Sequence, residues 1–265
     1  MILKKVVRRF IKLFQWIELF PFLFSPPNPE SDHLVIVTGA DSSHYKSLCQ
    51  FLSSLFKHEP DIKAVVLDLG LTGHERSSLM GTFPSAELRL FNYSQYPDYL
   101  NIKVNAGEYA WKPVILFDVL NEFKCCVCWM DAGNLVTRPL VWLRRIVNSV
   151  GMYSPNSSGD IVDWTHPKTL EFLKASNNIL HKQNLNGACV AAKYQSPKAR
   201  DLVAQWKNYA LMKECIAPAG SSRKNHRQDQ AVLSVIAHQS GITKGMPKGL
   251  YGFKIQQDID MVPKK

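Results

Sequence analysis

The chain has 265 residues, 46% of them hydrophobic and 20% charged, with a formal net charge of +10. Those proportions exclude a disordered, fibrous or repeat protein and leave a globular chain with one large domain or two small ones. The positive excess lies in two places, Lys4 to Lys12 and Arg223 to Arg227, and not in an aromatic-interleaved basic patch, so no nucleic-acid motif accounts for it.

Residues 1–24 set Lys4, Lys5, Arg8, Arg9 and Lys12 among a long apolar series that includes Phe10, Ile11, Phe14, Trp16, Leu19 and Phe24. A bilayer needs about 20 apolar residues, and Lys12, Gln15 and Glu18 interrupt this stretch, so it reads either as a weak spanning segment or as an interfacial helix with a basic face. A helix packed on the domain is the third reading. If the segment spans, the basic residues ahead of it favour a cytoplasmic amino terminus, a signal-anchor arrangement, and no small-residue cleavage site follows. Residues 25–32, Ser-Pro-Pro-Asn-Pro-Glu-Ser-Asp, form a stiff linker.

From residue 33 onward strands and helices alternate. Leu34 to Val37 is a buried strand, followed by the polar turn Thr38 to Ser43 and a helix through about Phe56. Ala64 to Leu69 is a second strand, with a short helix near His74 to Met80, and Leu88 to Phe91 is a third. A helix from Trp111 to about Glu122, with Pro113 in its first turn, leads into the apolar run ending at Asp131. Helices follow near Val141 to Asn148 and Pro167 to Ala175, then a strand Ala188 to Ala192, then helices at Pro197 to Lys213 and Asp229 to Ala237. The carboxyl-terminal tail has little pattern. The order predicts a three-layer α/β domain, its mostly parallel sheet covered by helices on both faces.

An acid at the carboxyl end of a buried parallel strand sits where open α/β sheets bind ligands, so Asp131 is either a functional residue or the start of a turn. Asp68 has the same two readings, a contact to ribose or base or a turn before Gly70. The six cysteines lack zinc-site spacing and read as core thiols; Cys125 and Cys126 point to opposite faces of one strand and cannot pair. Asn92-Tyr93-Ser94 and Asn156-Ser157-Ser158 are glycosylation sequons, usable only in a secretory lumen.

Five short motifs, in order, resemble a glycosyltransferase of the GT-A fold, of the family 8-like, glycogenin-like kind. Val37-Thr38-Gly39-Ala40-Asp41 with Tyr45 resembles the first strand and nucleotide-binding loop. Lys112 stands where the family commonly carries a basic residue facing the donor diphosphate. Trp129-Met130-Asp131-Ala132-Gly133 resembles the Asp-x-Asp strand end, Asn186-Gly187-Ala188 the Asn-x-Gly strand entry, and Asp229-Gln230 the late Asp-Gln helix. Residues 33–265 are therefore expected to form a single transferase-like domain.

The resemblance implies transfer of a sugar from a nucleotide-diphosphate donor to a glycan, protein or lipid acceptor, with retention at the anomeric carbon, and no nucleic-acid partner. It assigns Asp131, Asp229 and Gln230 to catalysis, and Thr38, Gly39, Ala40, Tyr45, Lys112, Gly133 and Arg227 to the donor. It also implies a divalent cation, Mn²⁺ or Mg²⁺, on Asp131, but Gly133 replaces the family's second, metal-binding aspartate. His238 and Gly241 have the spacing of the late His-x-x-Gly-x-x-Lys-Pro-Trp element, from which Lys244-Gly245-Met246 departs. A cluster of cations, Lys112 with Arg223, Lys224, His226 and Arg227, could take the metal's place on a diphosphate. The rival reading is a non-catalytic nucleotide- or glycan-binding protein with a degenerate site. A membrane-associated domain, lumenal in the Golgi or endoplasmic reticulum, completes the expectation.

Overall fold

The computed structural model describes residues 33–242 and 252–260. The expected anchor (1–24), the linker (25–32) and Lys244-Gly245-Met246 lie outside the described residues. None of the described helices is long and apolar enough to cross a membrane.

Strands β1 (Leu34–Asp41), β2 (Lys63–Gly70), β3 (Ala86–Leu90) and β4 (Cys126–Met130) are joined through helices α1 (Tyr45–His58), α2 (Gly73–Thr82) and α3 (Trp111–Phe123). After β5 (Leu135–Val136) come α4 (Val141–Val150), β6 (Met152–Tyr153), β7 (Asn156–Asp160), α5 (Ile161–Trp164) and α6 (Pro167–Phe172). Then follow β8 (Gln183–Leu185), β9 (Cys189–Lys193), α7 (Pro197–Ala210), α8 (Lys213–Ile216), α9 (Gln228–Ser240) and β10 (Phe253–Lys254).

The central sheet has six strands in the order β3-β2-β1-β4-β9-β6, and its first four are parallel. Strand β9 runs antiparallel to both β4 and β6, a direction that its short apolar sequence does not encode. Alternation along each strand divides two apolar layers. Val35, Val37, Val127 and Trp129 meet α3, α7 and α9 on one face; Ile36, Val66, Cys128 and Met130 meet α1, α2 and α4 on the other. This is the expected three-layer arrangement, and all six cysteines are free thiols.

Two helices stop earlier than their sequence suggests. Helix α6 closes at Lys174, which takes φ 49° and lets the Ala175 amide donate to Leu170 O at 2.8 Å, a left-handed cap that ends the helix. Helix α7 ends at Ala210 because Met212 is extended, and α8 begins anew after it.

The carboxyl-terminal residues, featureless in sequence, are pinned along the domain. Strand β10 pairs antiparallel with β5. Beyond it the Gln257 amide donates to Gly133 O at 2.6 Å, and Asp260 accepts from the Lys46 and Ser47 amides at the start of α1. Those amides are the unpaired donors of a helix amino terminus.

Candidate active site

In the parallel part of the sheet, β1 has β2 on one side and β4 on the other, so the crevice outside their carboxyl ends is a topological switch point. A cleft of about 560 Å³ opens there. It gathers Gly39, Ala40, Lys112, Asp131, Gly133, Arg227, Asp229 and Gln230, which come from four separate segments of the chain. Thr38 and Tyr45, also expected at the donor, are not in its wall. Thr38 points to the opposite face of β1 from Val37 and is fully buried, and Tyr45 packs against the apolar layer beneath α1.

Lys112 is the centre of the site. Its place in the first turn of α3 aims the side chain at the ends of β4 and β9, where it is buried. The ammonium donates to Gly187 O at 3.0 Å and pairs with Asp131 Oδ1 at 2.9 Å and Asp229 Oδ2 at 3.2 Å. The ammonium thus has one carbonyl acceptor and two ionic contacts. Burial by itself pushes the ammonium down, but the two carboxylates outweigh it and hold Lys112 above its ordinary value. Lys112 therefore fastens the two acids together.

The two acids differ. Asp131 Oδ1 also accepts from the Trp129 indole at 2.6 Å, and its side chain keeps 38% of its exposure. Asp229 is buried in the first turn of α9, and its Oδ2 accepts no hydrogen bond of sound geometry; the ammonium is its compensation. Burial pushes its carboxyl up, Lys112 opposes this, and the neighbouring charge of Asp131 adds to the rise. Two carboxylates share one cation, so the cluster is one positive charge short. Glycine at 187 leaves room for this packing: a Cβ there would lie 2.9 Å from Asp229 Oδ2, so that the carboxylate would have to shift. Gln230 Oε1 accepts from the Gly187 amide at 3.3 Å, tying α9 to the strand entry.

Of the other members of the expected cation cluster, the arginines reach the cleft and Lys224 and His226 do not. The Arg227 guanidinium lies 4.2 Å from the centre of the Trp164 ring, and Arg223 donates to the Tyr109 hydroxyl at 2.7 Å. Among the described residues neither forms an ion pair with a carboxylate. Burial and the charge of Arg223 lower Arg227 below its ordinary value. Lys224 is exposed outside the cleft, and His226 is buried. His226 Nδ1 accepts from the His166 amide at 3.2 Å, which leaves Nε2–H to donate to Ile216 O at 2.9 Å. Burial pushes this imidazole down to about 4, so it is a neutral support, not a cation.

Residues 105–109, which carry Tyr109 and Ala106 into the wall, all have φ between 46° and 62°. A left-handed run of ordinary residues costs energy and persists only where surrounding contacts impose it. Here the Trp111 indole donates back to Ala106 O, and Gly107 fits against Leu100 O, which a Cβ would approach to 2.2 Å.

Sequence reasoning gave no site role to His44, Gln256 or Asp258, which all line the cleft, and named Asp41 only as the end of the β1 motif. Asp41 Oδ1 accepts from the Ser43 amide and hydroxyl and faces His44 Nδ1 at 3.3 Å; this pairing lowers the Asp41 carboxyl and raises the imidazole. The nearness of Asp41 to His44 in sequence was a usable signal. Asp258 had none, because only the fold brings it to Gly133. Asp68 takes its turn role: its carboxylate accepts from the Gly70 and Leu71 amides and pairs with Arg76, outside the cleft.

Comparison with solved structures places the architecture. Core-mannan synthase A from Aspergillus fumigatus, solved in a Mn/GDP form, superposes over 82% of this chain and 72% of its own, with a TM-score of 0.51 at 8% identity. The chain has the GT-A fold. Galactosyltransferase LgtC, solved with donor and acceptor sugar analogues, matches 76% of the chain and 70% of its own at 18% identity and a TM-score of 0.49. The bifunctional glycosyltransferase WbbM matches 80% of the chain and 39% of its own at 13% identity and a TM-score of 0.49. Residues 18–117 match a family model described as "Protein of unknown function (DUF1647)". A search of curated proteins finds no match.

Proposed function

We propose that the chain is a glycosyltransferase that moves a sugar from a nucleotide-diphosphate donor to an acceptor in this cleft. The observation that carries the reading is the buried Lys112–Asp131–Asp229 cluster at the switch point of a GT-A sheet. In the reaction the glycosidic C–O bond breaks with its electron pair going to the diphosphate, the acceptor oxygen bonds to the anomeric carbon, and the acceptor's proton passes to the departing diphosphate. The developing charge on the diphosphate is the electrostatic load. Arg227 and Arg223, without acidic partners among the described residues, supply positive charge at the rim. Asp229 and Gln230, held against Gly187, face sugar hydroxyls. A divalent cation, when bound, would neutralise the diphosphate further.

Retention at the anomeric carbon is the finer proposal, supported by the family 8-like motif order. Membrane association through residues 1–24, with the domain in a Golgi or endoplasmic-reticulum lumen, is a proposal supported by that segment's sequence.

Hydrolysis or transfer of UDP- and GDP-sugars by the purified protein, with and without Mn²⁺ or Mg²⁺, tests the central reading. Asp131→Asn and Asp229→Asn should each lower turnover by roughly 100-fold or more while the protein stays folded. Nucleotide binding with no turnover under any metal condition would instead identify a non-catalytic binding protein.

A further inference from the structure

Gly133 stands where the motif of this sheet has its second carboxylate, and the structure shows what fills that space. A Cβ built on Gly133 would lie 2.2 Å from Asp258 Oδ1, 2.3 Å from Oδ2 and 2.4 Å from Cγ. The carboxylate of Asp258 therefore occupies the volume into which a side chain at 133 would project. Its position is fixed from both sides. Ahead of it, β10 pairs with β5; beside it, the Gln257 amide donates to Gly133 O and Gln50 Nε2 donates to Gln257 O at 2.9 Å; beyond it, Asp260 caps α1.

The charges nearby are incompletely matched. Asp258 accepts no hydrogen bond and forms no ion pair among the described residues, although its field helps to raise His44. Asp131 uses Oδ1 for Lys112 and Trp129, while Oδ2 has no donor. Two carboxylates with oxygens to spare thus border one side of the cleft, and Lys112 is already committed. Among the described residues no group of three protein ligands is preformed. Mg²⁺-like cations do not require one: they sit on one or two carboxylates and complete their shell with phosphate oxygens and water.

We propose that Asp258 supplies, from the carboxyl-terminal segment, the carboxylate that position 133 lacks, and that Asp131 and Asp258 together hold a divalent cation, Mn²⁺ or Mg²⁺, against a nucleoside diphosphate. The proposal rests on the donor reading above. Gly133 is then no loss of the metal site; it is the vacancy that admits a ligand from elsewhere in the chain.

Titration of the full chain with Mn²⁺, followed by the electron paramagnetic resonance of free Mn²⁺, tests this without reference to turnover. It is run alone and with UDP or GDP, on wild type, Asp258→Asn and the double variant Gly133→Asp/Asp258→Gly, with thermal unfolding as the check on folding. Asp258→Asn should weaken Mn²⁺ binding at least tenfold, on the order expected for a lost ligand contact. The double variant, which moves the carboxylate to position 133, should recover most of it; Gly133 is not in the left-handed region, so an aspartate fits its backbone. Wild-type affinity in Asp258→Asn would overturn the proposal. Nucleoside diphosphate bound equally with Mn²⁺ and with chelator would also overturn it and leave the donor reading standing, whereas Asp258-dependent Mn²⁺ binding with no nucleotide bound would keep the cation site and remove that reading.

Discussion

Lys112 turns two acids that would repel one another into a stable pair, and its removal should be felt in stability before it is felt in chemistry. Lys112→Met keeps much of the buried stem but leaves Asp131 and Asp229 without their cation. Breaking a buried pair in this way costs about 3–5 kcal/mol, most of it from the uncompensated charge that remains. The sign of the pH dependence follows from Asp229. Its folded carboxyl already lies above the ordinary value through burial, so as pH falls the native state takes up this proton before the unfolded chain does. Stability from this group is therefore present at low pH and lost as pH rises, and removing the ammonium enlarges the effect. Urea unfolding should show a deficit for Lys112→Met that is larger at pH 7 than at pH 5. An equal deficit at both would mean that packing, not charge, is what Lys112 contributes.

At the level of elements, the segment that delivers Arg223 and Arg227 to the cleft depends on a histidine that must stay neutral. With His226 held down to about 4 against an ordinary 6.5, the unfolded chain binds a proton between those values that the native state refuses. Its contribution is complete above pH 6.5 and is lost as pH falls toward 4, a change of roughly 3 kcal/mol at most. His226→Gln, measured by urea unfolding from pH 7 to pH 4, should flatten that decline; an unchanged slope would place the titration elsewhere. The elements themselves were largely legible. Continuous apolar runs marked β1, β2 and β4, and helical periodicity marked α1, α3 and α9. The antiparallel sense of β9 and the pairing of β5 with β10 could not be read, because two-residue strands carry no pattern and their partners are remote. Asp258 was hidden for the same reason: its role is a contact, not a motif.

For the whole molecule, what matters is which end of the domain meets the rest of the chain. The described domain begins at His33, beside the amino end of β1, whereas the cleft lies beyond the strand's carboxyl end, after eight residues or roughly 26 Å. A chain tethered through residues 1–24 would thus hold its cleft on the side away from the tether. The two sequons offer a way to test the compartment that this arrangement needs. Asn92 is exposed, in a tight turn where its side chain accepts from the Ser94 amide and hydroxyl. Asn156 is buried in β7, and a glycan there is incompatible with the fold. If the domain is lumenal, the full chain expressed in a eukaryotic cell should carry a single N-glycan at Asn92. Glycosidase treatment should then increase its gel mobility by one step, and Asn92→Gln should abolish that shift whereas Asn156→Gln leaves it. A chain that is folded and membrane-bound but never glycosylated at Asn92 would put the domain on the cytoplasmic side and overturn the lumenal reading.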